Sequence, residues 1–213
     1  MQNELFMRDT DKIEEAAKQN VFRIEDATEA DAGRLLEIYA PYVTDTAISF
    51  EYTVPSVSEF RERIRSIRIR YPYIKAVRRD GTIAGYAYAS AFKGRAAYDY
   101  SVETTIYLEK NSKRMGIGRS LYAELERRLR EEGILNMNAC IAYPESEDPY
   151  VGMDSVFFHE RMGFSKVGIF HDSGYKFGRW YHMIWMEKMI GEHGTHPPKL
   201  PWKRDVQSGG IGV

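Results

Sequence analysis

The feature that most constrains the fold is a strand that leads into a glycine-containing loop and then into an amphipathic helix. The strand ends in Thr-Thr-Ile-Tyr-Leu at residues 104–108, and Gly116 and Gly118 follow it closely. Beyond them, aliphatic residues recur at four-residue spacing, as on one face of a helix: Ile117, Leu121, Leu125 and Leu129. Gly133 supplies a stop signal for this helix. The pattern predicts a strand–loop–helix unit of an α/β fold.

The rest of the chain predicts a mixed sheet around this unit. The elements follow in the order β, α, α, β, β, β, α, β, α, β, β, with one phosphate-type loop. This order predicts an α/β (α+β) fold and argues against a doubly wound parallel sheet. We expect Pro41 to end the first helix of the domain, and the longest strand to run from Tyr98 to Leu108. We assign residues 21–190 to one domain, residues 1–20 to an N-terminal extension, and residues 191–213 to an extended or poorly ordered tail.

Composition narrows the class of function. A chain of 213 residues with a formal net charge of -1 gives no reason to expect a nucleic-acid partner, because phosphate-backbone binding needs a basic excess. Apolar runs are too short to span a membrane, and the first 20 residues lack the apolar core of a signal peptide. The single cysteine, Cys140, fits a reducing compartment, and we expect it to be a small buried hydrophobe. We therefore expect a cytoplasmic protein with no membrane or nucleic-acid partner.

The loop before the helix has the chemistry of an anion site. Glycines let the backbone turn tightly and bring its amides close to a ligand, and a helix start leaves several N–H groups without partners. Three nearby side chains add positive charge: Lys113, Arg114 and Arg119. A nucleoside-triphosphate loop would need Gly-Lys-Ser/Thr, but Arg119-Ser120 follows Gly118. A dinucleotide fingerprint would need a third glycine where Leu121 stands, so the loop suits a pyrophosphate of another kind of ligand.

Three further stretches make this loop more specific. Residues 97–107 read Ala-Tyr-Asp-Tyr-Ser-Val-Glu-Thr-Thr-Ile-Tyr, residues 158–164 read Phe-His-Glu-x-x-Gly-Phe, and residues 174–180 read Gly-Tyr-Lys-Phe-Gly-Arg-Trp. In this order they resemble the phosphinothricin N-acetyltransferases of the GNAT superfamily, whose acetyl-CoA loop is Gln/Arg-x-x-Gly-x-Gly/Ala. Lys113 keeps the charge at the first loop position. The resemblance implies a mixed, mostly antiparallel central sheet flanked by helices, with acetyl-CoA as the acyl donor.

The resemblance places a catalytic base at Glu103 and a histidine at His159. Acetyl transfer needs a neutral amine, and an alkyl ammonium is mostly protonated at neutral pH, so a base must take its proton. Strand alternation also puts Glu103 on the polar face of its strand. The alternative for Glu103 is a structural carboxylate paired with an arginine. For His159, assistance in proton transfer and a hydrogen-bonded place in the core both stay open.

The resemblance also implies two sets of binding residues. For the cofactor these are the end of the strand against pantetheine and the loop against the pyrophosphate: Ile106, Tyr107, Leu108, Lys113, Arg114, Met115, Gly116, Ile117, Gly118 and Arg119. For the acceptor they are Phe50, Lys93, Arg95, Tyr98 and Tyr107. An arginine suits a carboxylate or phosphinate because its donors form a planar fork. The alternative for the acceptor set is an ordinary basic turn beside packed aromatic residues.

These residues favour an enzyme that acetylates the α-amino group of a small amino-acid-like acceptor by direct transfer in a ternary complex. Acetylation of a protein N-terminus or a polyamine is the alternative within the same class. An idle acyl-CoA sensor is the alternative from another class, and Glu103 beside the loop favours an enzyme over it. We predict no metal, because His193 and His196 have no evident third ligand. The aromatic stretch Trp180–Trp185 predicts sheet core or the surface of a homodimer.

Overall fold

The computed structural model describes residues 22–112 and 114–202 of the chain. The predicted N-terminal extension, Lys113 and residues 203–213 lie outside these described residues. The strands of the described part are β1 Phe22–Asp26, β2 Tyr73–Arg78, β3 Ile83–Ala91, β4 Ser101–Leu108, β5 Asn136–Tyr143, β6 Ser165–Lys176 and β7 Arg179–Met189. Its α-helices are α1 Ala32–Thr44, α2 Val57–Arg68, α3 Ile117–Glu131 and α4 Asp154–Arg161.

The strands form one sheet in the order β1-β2-β3-β4-β5-β7-β6. Every neighbouring pair is antiparallel except β4 and β5, which run parallel. The hydrophobic residues of α1 and α2 pack on one face of the sheet, and those of α3 and α4 pack on the other. The predicted mixed, mostly antiparallel sheet flanked by helices is thus confirmed. No helix in the described ranges is long and apolar enough to cross a membrane.

Capping residues and a regularly spaced apolar face account for the helices on the two faces of the sheet. The side chain of Ser56 caps α2 by accepting the amide of Glu59, and the carboxylate of Asp31 accepts the amide of Thr28 just before α1. The regularly spaced aliphatic residues of α3 are all buried: Ile117, Leu121, Leu125 and Leu129. The strong apolar face of α3 therefore anchors the helix across the middle of the sheet.

Two predicted boundaries are wrong. Pro41 lies inside α1 and does not end it, because its carbonyl still accepts the amide of Asp45 at 3.0 Å and the helix continues to Thr44. The strand predicted to be the longest begins at Ser101, because Ala96–Tyr98 form a 3₁₀ turn, and it is shorter than β6 and β7. In both places backbone hydrogen bonds decide where the element begins or ends, and the residue types in the sequence do not indicate these bonds.

The described part of the C-terminal tail packs on the domain. Residues 191–202 form no helix or strand. Leu200 is buried in the main core, and the ring of Trp202 lies 5.5 Å from that of Tyr71, centre to centre. The low-propensity composition of this segment excludes regular structure but does not prevent individual apolar side chains from reaching the core.

Candidate active site

The parallel strands β4 and β5 pair over only three residues and then separate. Their register runs from Ser101 opposite Asn136 to Glu103 opposite Asn138. Two hydrogen bonds tie the strands together at the end of this pairing: the Thr104 hydroxyl donates to the Asn138 carbonyl, and the Asn138 side-chain amide donates to the Val102 carbonyl, each at 3.1 Å. We call this point the fork. Beyond it, residues 105–108 of β4 pair with β3 but have no ladder partner on β5, so backbone groups on this edge that no side chain occupies are available to an extended ligand.

Glu103 lies at the fork, on a face of the sheet that we call the glutamate face. Paired strand residues point to the same side of a sheet, so this face also carries Ser90 of β3, and Cys140 of β5 with Trp185 of β7. Glu103 is half-buried, and desolvation raises the pKa of its carboxyl group above the ordinary value. The nearby Lys93 ammonium opposes this rise without cancelling it. A carboxylate with a raised pKa is a stronger base than an exposed one.

Aromatic rings and a lysine form a rim beside Glu103. The Phe92 ring lies 5.4 Å from Trp185 and 5.9 Å from Tyr98. The Lys93 ammonium lies 4.9 Å from the Phe92 ring centre and 5.1 Å from that of Trp185, within cation–π range. Arg95 is exposed at the start of the turn that contains Tyr98. Sequence reasoning missed Phe92 and Trp185 as parts of this rim, and Trp185 reaches this face only through the pairing of β7 with β5.

Cys140 is exposed on the glutamate face, so the prediction of a buried cysteine is wrong. The apolar residues around it in sequence belong to the opposite face of β5, which alternation alone left open. Solvent reaches the thiol, yet neighbouring protein removes much of its hydration. This desolvation, together with the charge of Glu103, raises the pKa of Cys140 to about 12. The thiolate is therefore scarce at neutral pH, and Cys140 is a poor nucleophile.

Phe50 and Tyr107 are packed against other aromatic residues. Phe50 belongs to a small cluster with Ala142, which lies two residues beyond Cys140 and so on the same face of β5. The ring of Tyr107 lies 4.8 Å from Tyr39 and 4.9 Å from Tyr42. Desolvation raises the pKa of Tyr107 well above its usual range, so its hydroxyl stays neutral. The two residues thus pack beside the glutamate face, on opposite arms of the fork.

The loop between β4 and α3 turns through left-handed backbone. Arg114 has φ 64° and Gly116, the residue that caps α3, has φ 77°. The first amides of α3 have no carbonyl partners within the helix and carry its partial positive charge. The side chains of Arg114, Met115 and Arg119 are exposed around them. This part of the loop can therefore receive an anionic group.

Gly118 has a different role from Gly116. A Cβ atom at Gly118 would lie 3.2 Å from the Phe158 ring and 3.4 Å from the Leu108 side chain. The missing side chain lets the start of α3 pack closely between β4 and α4. At the other end of the loop, hydrogen bonds from Arg78 and Arg34 hold Glu109 and lower the pKa of its carboxyl group. The loop is thus anchored at both ends. The Leu108 carbonyl, part of the predicted pantetheine contact, accepts the Tyr42 hydroxyl at 2.6 Å.

His159 is buried on the face of the sheet opposite to Glu103. Its Nδ1 lies 2.7 Å from the Ser155 carbonyl, which can only accept, so Nδ1 donates and Nε2 is left to accept. The Tyr122 hydroxyl donates to Nε2 at 2.9 Å and also lies 3.3 Å from the Thr104 hydroxyl at the fork. Desolvation lowers the pKa of His159 to about 4, so its imidazole is neutral at pH 7. Tyr122, which the sequence did not indicate, is the link between His159 and the fork.

The buried neutral His159 should make stability depend on pH. Its pKa of about 4 in the folded chain lies below the ordinary 6.5, so the unfolded chain binds a proton that the folded chain does not. This contribution to stability is complete above about pH 6.5 and is lost as the pH falls toward 4. Between pH 7.5 and pH 5, the free energy of unfolding measured with urea should fall by about 2 kcal/mol more in the wild type than in His159→Gln. Equal losses would show that His159 is accessible to protons in the folded chain.

Within residues 22–112 and 114–202, no group of three or more His, Cys, Asp or Glu side chains could hold a metal ion. The ring pair His171 and His182 lies 5.2 Å apart near Asp172, but both rings and the carboxylate belong to the β6–β7 hairpin and do not face the fork.

Residues 24–185 match the family described as acetyltransferase (GNAT) domain. A phosphinothricin N-acetyltransferase of Streptomyces viridochromogenes is 32% identical over 158 residues, which cover 74% of this chain and 82% of that protein. An L-methionine sulfoximine/L-methionine sulfone acetyltransferase of Salmonella typhimurium is 26% identical over 170 residues, or 79% of this chain and 95% of that protein. The crystal structure of a GNAT superfamily phosphinothricin acetyltransferase from Sinorhizobium meliloti in complex with AcCoA has a TM-score of 0.77 and 34% identity, and covers 84% of this chain and 95% of that one.

Proposed function

The chain belongs to the GNAT acetyltransferase family, and from this premise we propose that it acetylates the amino group of a small amino-acid-like acceptor of the phosphinothricin or methionine sulfoximine type. It is an acetyl-CoA-dependent N-acetyltransferase. The observation that carries the proposal is the position of Glu103. It lies where β4 and β5 separate and where the glutamate face meets the open edge of β4. A base at this point lies close to an amine bound on the glutamate face. It is also close to a thioester bound in the cleft between β4 and β5.

The residues around the fork fit acetyl-CoA. We propose that the amides of Gly116, Ile117, Gly118 and Arg119 hold its pyrophosphate, because a helix start with exposed cations is an anion site. The backbone of residues 106–108, which has no partner on β5, then lies along the pantetheine arm. Lys113, Arg114 and Met115 belong to the same loop and complete the proposed cofactor site. When bound, acetyl-CoA supplies a thioester carbonyl that an amine can attack and a thiolate that can leave.

Glu103 is the proposed catalytic base. Its carboxylate takes a proton from the acceptor ammonium, directly or through water, and this frees the nitrogen lone pair. The nitrogen then bonds to the carbonyl carbon, the carbon–sulfur bond breaks, and the second proton that the nitrogen must lose passes to the leaving sulfur, directly or through water. We propose direct transfer, because Cys140 on the same face is almost entirely protonated at neutral pH and cannot carry the acetyl group. His159 supports the fork through Tyr122, and its neutral imidazole holds no proton to donate beyond the one bound to Ser155.

Lys93 is the proposed contact for the acidic group of the acceptor. Its ammonium is held above Phe92 and Trp185, close enough to Glu103 to affect the pKa of that carboxyl group. An amino acid presents an ammonium and a carboxylate a few ångströms apart, which matches one base beside one cation. Arg95 and Tyr98 on the adjoining turn, and Phe50 and Tyr107 on the two arms of the fork, complete the proposed acceptor site.

The acceptor class can be tested together with cofactor binding. Acetyl-CoA at 100 times its Kd should stabilise the protein by about 2.7 kcal/mol and raise its melting temperature by roughly 5–10 °C. Release of free thiol should then be measured with phosphinothricin, methionine sulfoximine, a polyamine and a peptide with a free N-terminus. We expect the first two acceptors to exceed the others in kcat/KM by at least about 100-fold, a 2.7 kcal/mol difference in transition-state binding.

Each other outcome selects a different function. Preference for the polyamine or the peptide would replace the proposed acceptor with that class. A thermal shift without thiol release from any acceptor would favour an idle acyl-CoA sensor. The absence of a shift at saturating acetyl-CoA would contradict the cofactor assignment itself.

We further propose that the enzyme is a cytoplasmic homodimer. Support for the dimer comes from β6, which lies at the edge of the sheet, is exposed along most of its length and includes the exposed apolar residues Val167, Ile169 and Phe170. Together with the adjoining strand it exposes Val167, Phe170 and Trp180, the last at 61%. A long apolar edge strand favours association with another chain. The single cysteine of the sequence is consistent with a reducing compartment.

A further inference from the structure

A buried lysine ammonium holds the loop that carries Phe50. Lys176 is the last residue of β6, and only 3% of its surface is exposed. Its ammonium donates to three backbone carbonyls, those of Val43 at 2.7 Å, Thr46 at 2.9 Å and Ser49 at 2.6 Å. An ammonium has three N–H donors, so all of them are used. Hydrogen bonds from a charged donor are about twice as strong as neutral ones.

The three carbonyls belong to the end of α1 and to the loop that follows it. Val43 lies in the last turn of that helix, where carbonyls lack intrahelical partners and carry partial negative charge. Thr46 and Ser49 lie in the loop that follows, which we call the Phe50 loop, residues 45–50. Because the carbonyls face one point, their dipoles would repel one another if the ammonium were absent. The shape of the loop therefore depends on a side chain more than 120 residues away in sequence.

Three further contacts join the Phe50 loop and the chain just beyond it to the β6–β7 hairpin. A Cβ atom at Gly174 would lie 2.4 Å from the Phe50 ring, so the ring rests directly on the glycine backbone of β6. The Tyr52 hydroxyl donates to the Tyr175 carbonyl at 2.6 Å. The Phe50 ring also lies 6.3 Å from Tyr181 of β7. Loop and hairpin thus form one packed unit beside the arm of the fork that carries Cys140 and Ala142.

We infer that Lys176 is a positioning residue for acceptor binding, which fixes the Phe50 loop so that Phe50 forms one wall of the acceptor site. This inference rests on the proposed function, since it takes the glutamate face as the acceptor side. Lys176 touches neither substrate, and it acts through the backbone of the loop. The contacts described for this unit lie on the β5 arm of the fork, so we expect the effect to be confined to the acceptor.

The test is Lys176→Met, which removes the ammonium and keeps a flexible side chain of similar length. We expect the acceptor KM to rise about tenfold or more, while the Kd for acetyl-CoA changes less than twofold. Hydrogen exchange of residues 45–52, measured without substrates, should become faster in the variant. Gly174→Ala should raise the acceptor KM in the same way, because it displaces the Phe50 ring and leaves the ammonium in place.

Lys75→Met is the matched control. Lys75 is also largely buried and bonded, to Asp31 at 2.7 Å, but it lies on β2, away from the Phe50 loop. A general loss of stability should appear in both lysine variants, whereas the higher acceptor KM should appear only in Lys176→Met. Equal KM values for Lys176→Met and the wild type, or equal rises in both lysine variants, would overturn the inference.

Failure of the proposed function is distinguishable from failure of this inference. If the wild type acetylates no acceptor, the function is contradicted, and unchanged exchange of residues 45–52 in Lys176→Met would separately contradict the role of Lys176. If Lys176→Met does not fold, Gly174→Ala still tests the role of Phe50 on which the inference depends. An unchanged acceptor KM in that variant would then show that the position of Phe50 against the hairpin has no part in binding.

Discussion

Glu103→Gln should lower kcat by about 100-fold to 1,000-fold at neutral pH, within the range that general base catalysis contributes. Glutamine keeps the size and the polarity of the side chain but cannot accept a proton from an ammonium group. Glu103 lies on the glutamate face and away from the loop before α3, so the Kd for acetyl-CoA should stay the same. The variant therefore separates catalysis from cofactor binding.

The pH dependence of this variant follows from the raised pKa of Glu103. The carboxyl group is raised above its ordinary value by desolvation, and it acts as a base only when it is ionised. Wild-type activity should therefore fall as the pH drops through this raised pKa, and Glu103→Gln should lack that acidic limb. The deficit of the variant should be largest where the acceptor amine is protonated and should shrink as the pH approaches the pKa of the amine.

Glu187→Gln is the control for Glu103→Gln. Glu187 lies opposite Asn138 on β7, half-buried and on the same face of the sheet. Removing its charge changes the electrostatic field on this face without removing the group at the fork. Rates should be measured as thiol release from pH 5.5 to pH 9.5. Wild-type rates in Glu103→Gln across that range would show that Glu103 is a structural carboxylate.

Gly116→Val should weaken acetyl-CoA binding by about 10-fold to 100-fold, the equivalent of roughly 1.5–3 kcal/mol of hydrogen bonds to a charged group. Gly116 caps α3 with φ 77°, and a β-branched residue in left-handed backbone is strained by about 1–2 kcal/mol. The chain can relieve this strain by rotating the peptide groups of the loop. The same rotation turns the first amides of α3 away from the pyrophosphate.

Gly178→Val is the matched control for strain. Gly178 also has φ 77°, and as at Gly116 nothing lies within 4 Å of the Cβ position, but it belongs to the turn between β6 and β7. Both variants should lose similar free energy of unfolding. Only Gly116→Val should show a higher Kd for acetyl-CoA in titration calorimetry. A normal Kd in Gly116→Val would contradict the assignment of the pyrophosphate to this loop.

Local patterns in the sequence predicted much of the fold. The spacing of Leu121, Leu125 and Leu129 predicted the buried face of α3. Such patterns work because a helical or strand period is repeated within a few residues. They failed at Pro41, where a backbone bond to Asp45 continues the helix, and at Cys140, where alternation did not say which face is open.

Residues of the candidate site were predicted unevenly for the same reason. Glu103 and Gly116 could be predicted because the residues next to them form a recognisable pattern. For Glu103 this is the alternation of its strand, and for Gly116 it is the strand–loop–helix unit. Asn138 carried a usable signal as a polar residue within an apolar strand, and it proves to tie the fork together. Trp185 and Tyr122 carried none, because each reaches the site only through the packing of another element.

The sequence by itself determined that a strand, a glycine loop and a helix follow one another, and that Glu103 points away from the aliphatic side of its strand. These are properties of backbone periodicity and of helix ends, which need no distant partner. Only the tertiary structure decided where β4 and β5 separate, that His159 is neutral and bonded to Tyr122, and that Lys176 holds the Phe50 loop. Each of these depends on contacts between residues far apart in the chain, where burial and the geometry of the partner determine whether a polar group is charged, paired or free.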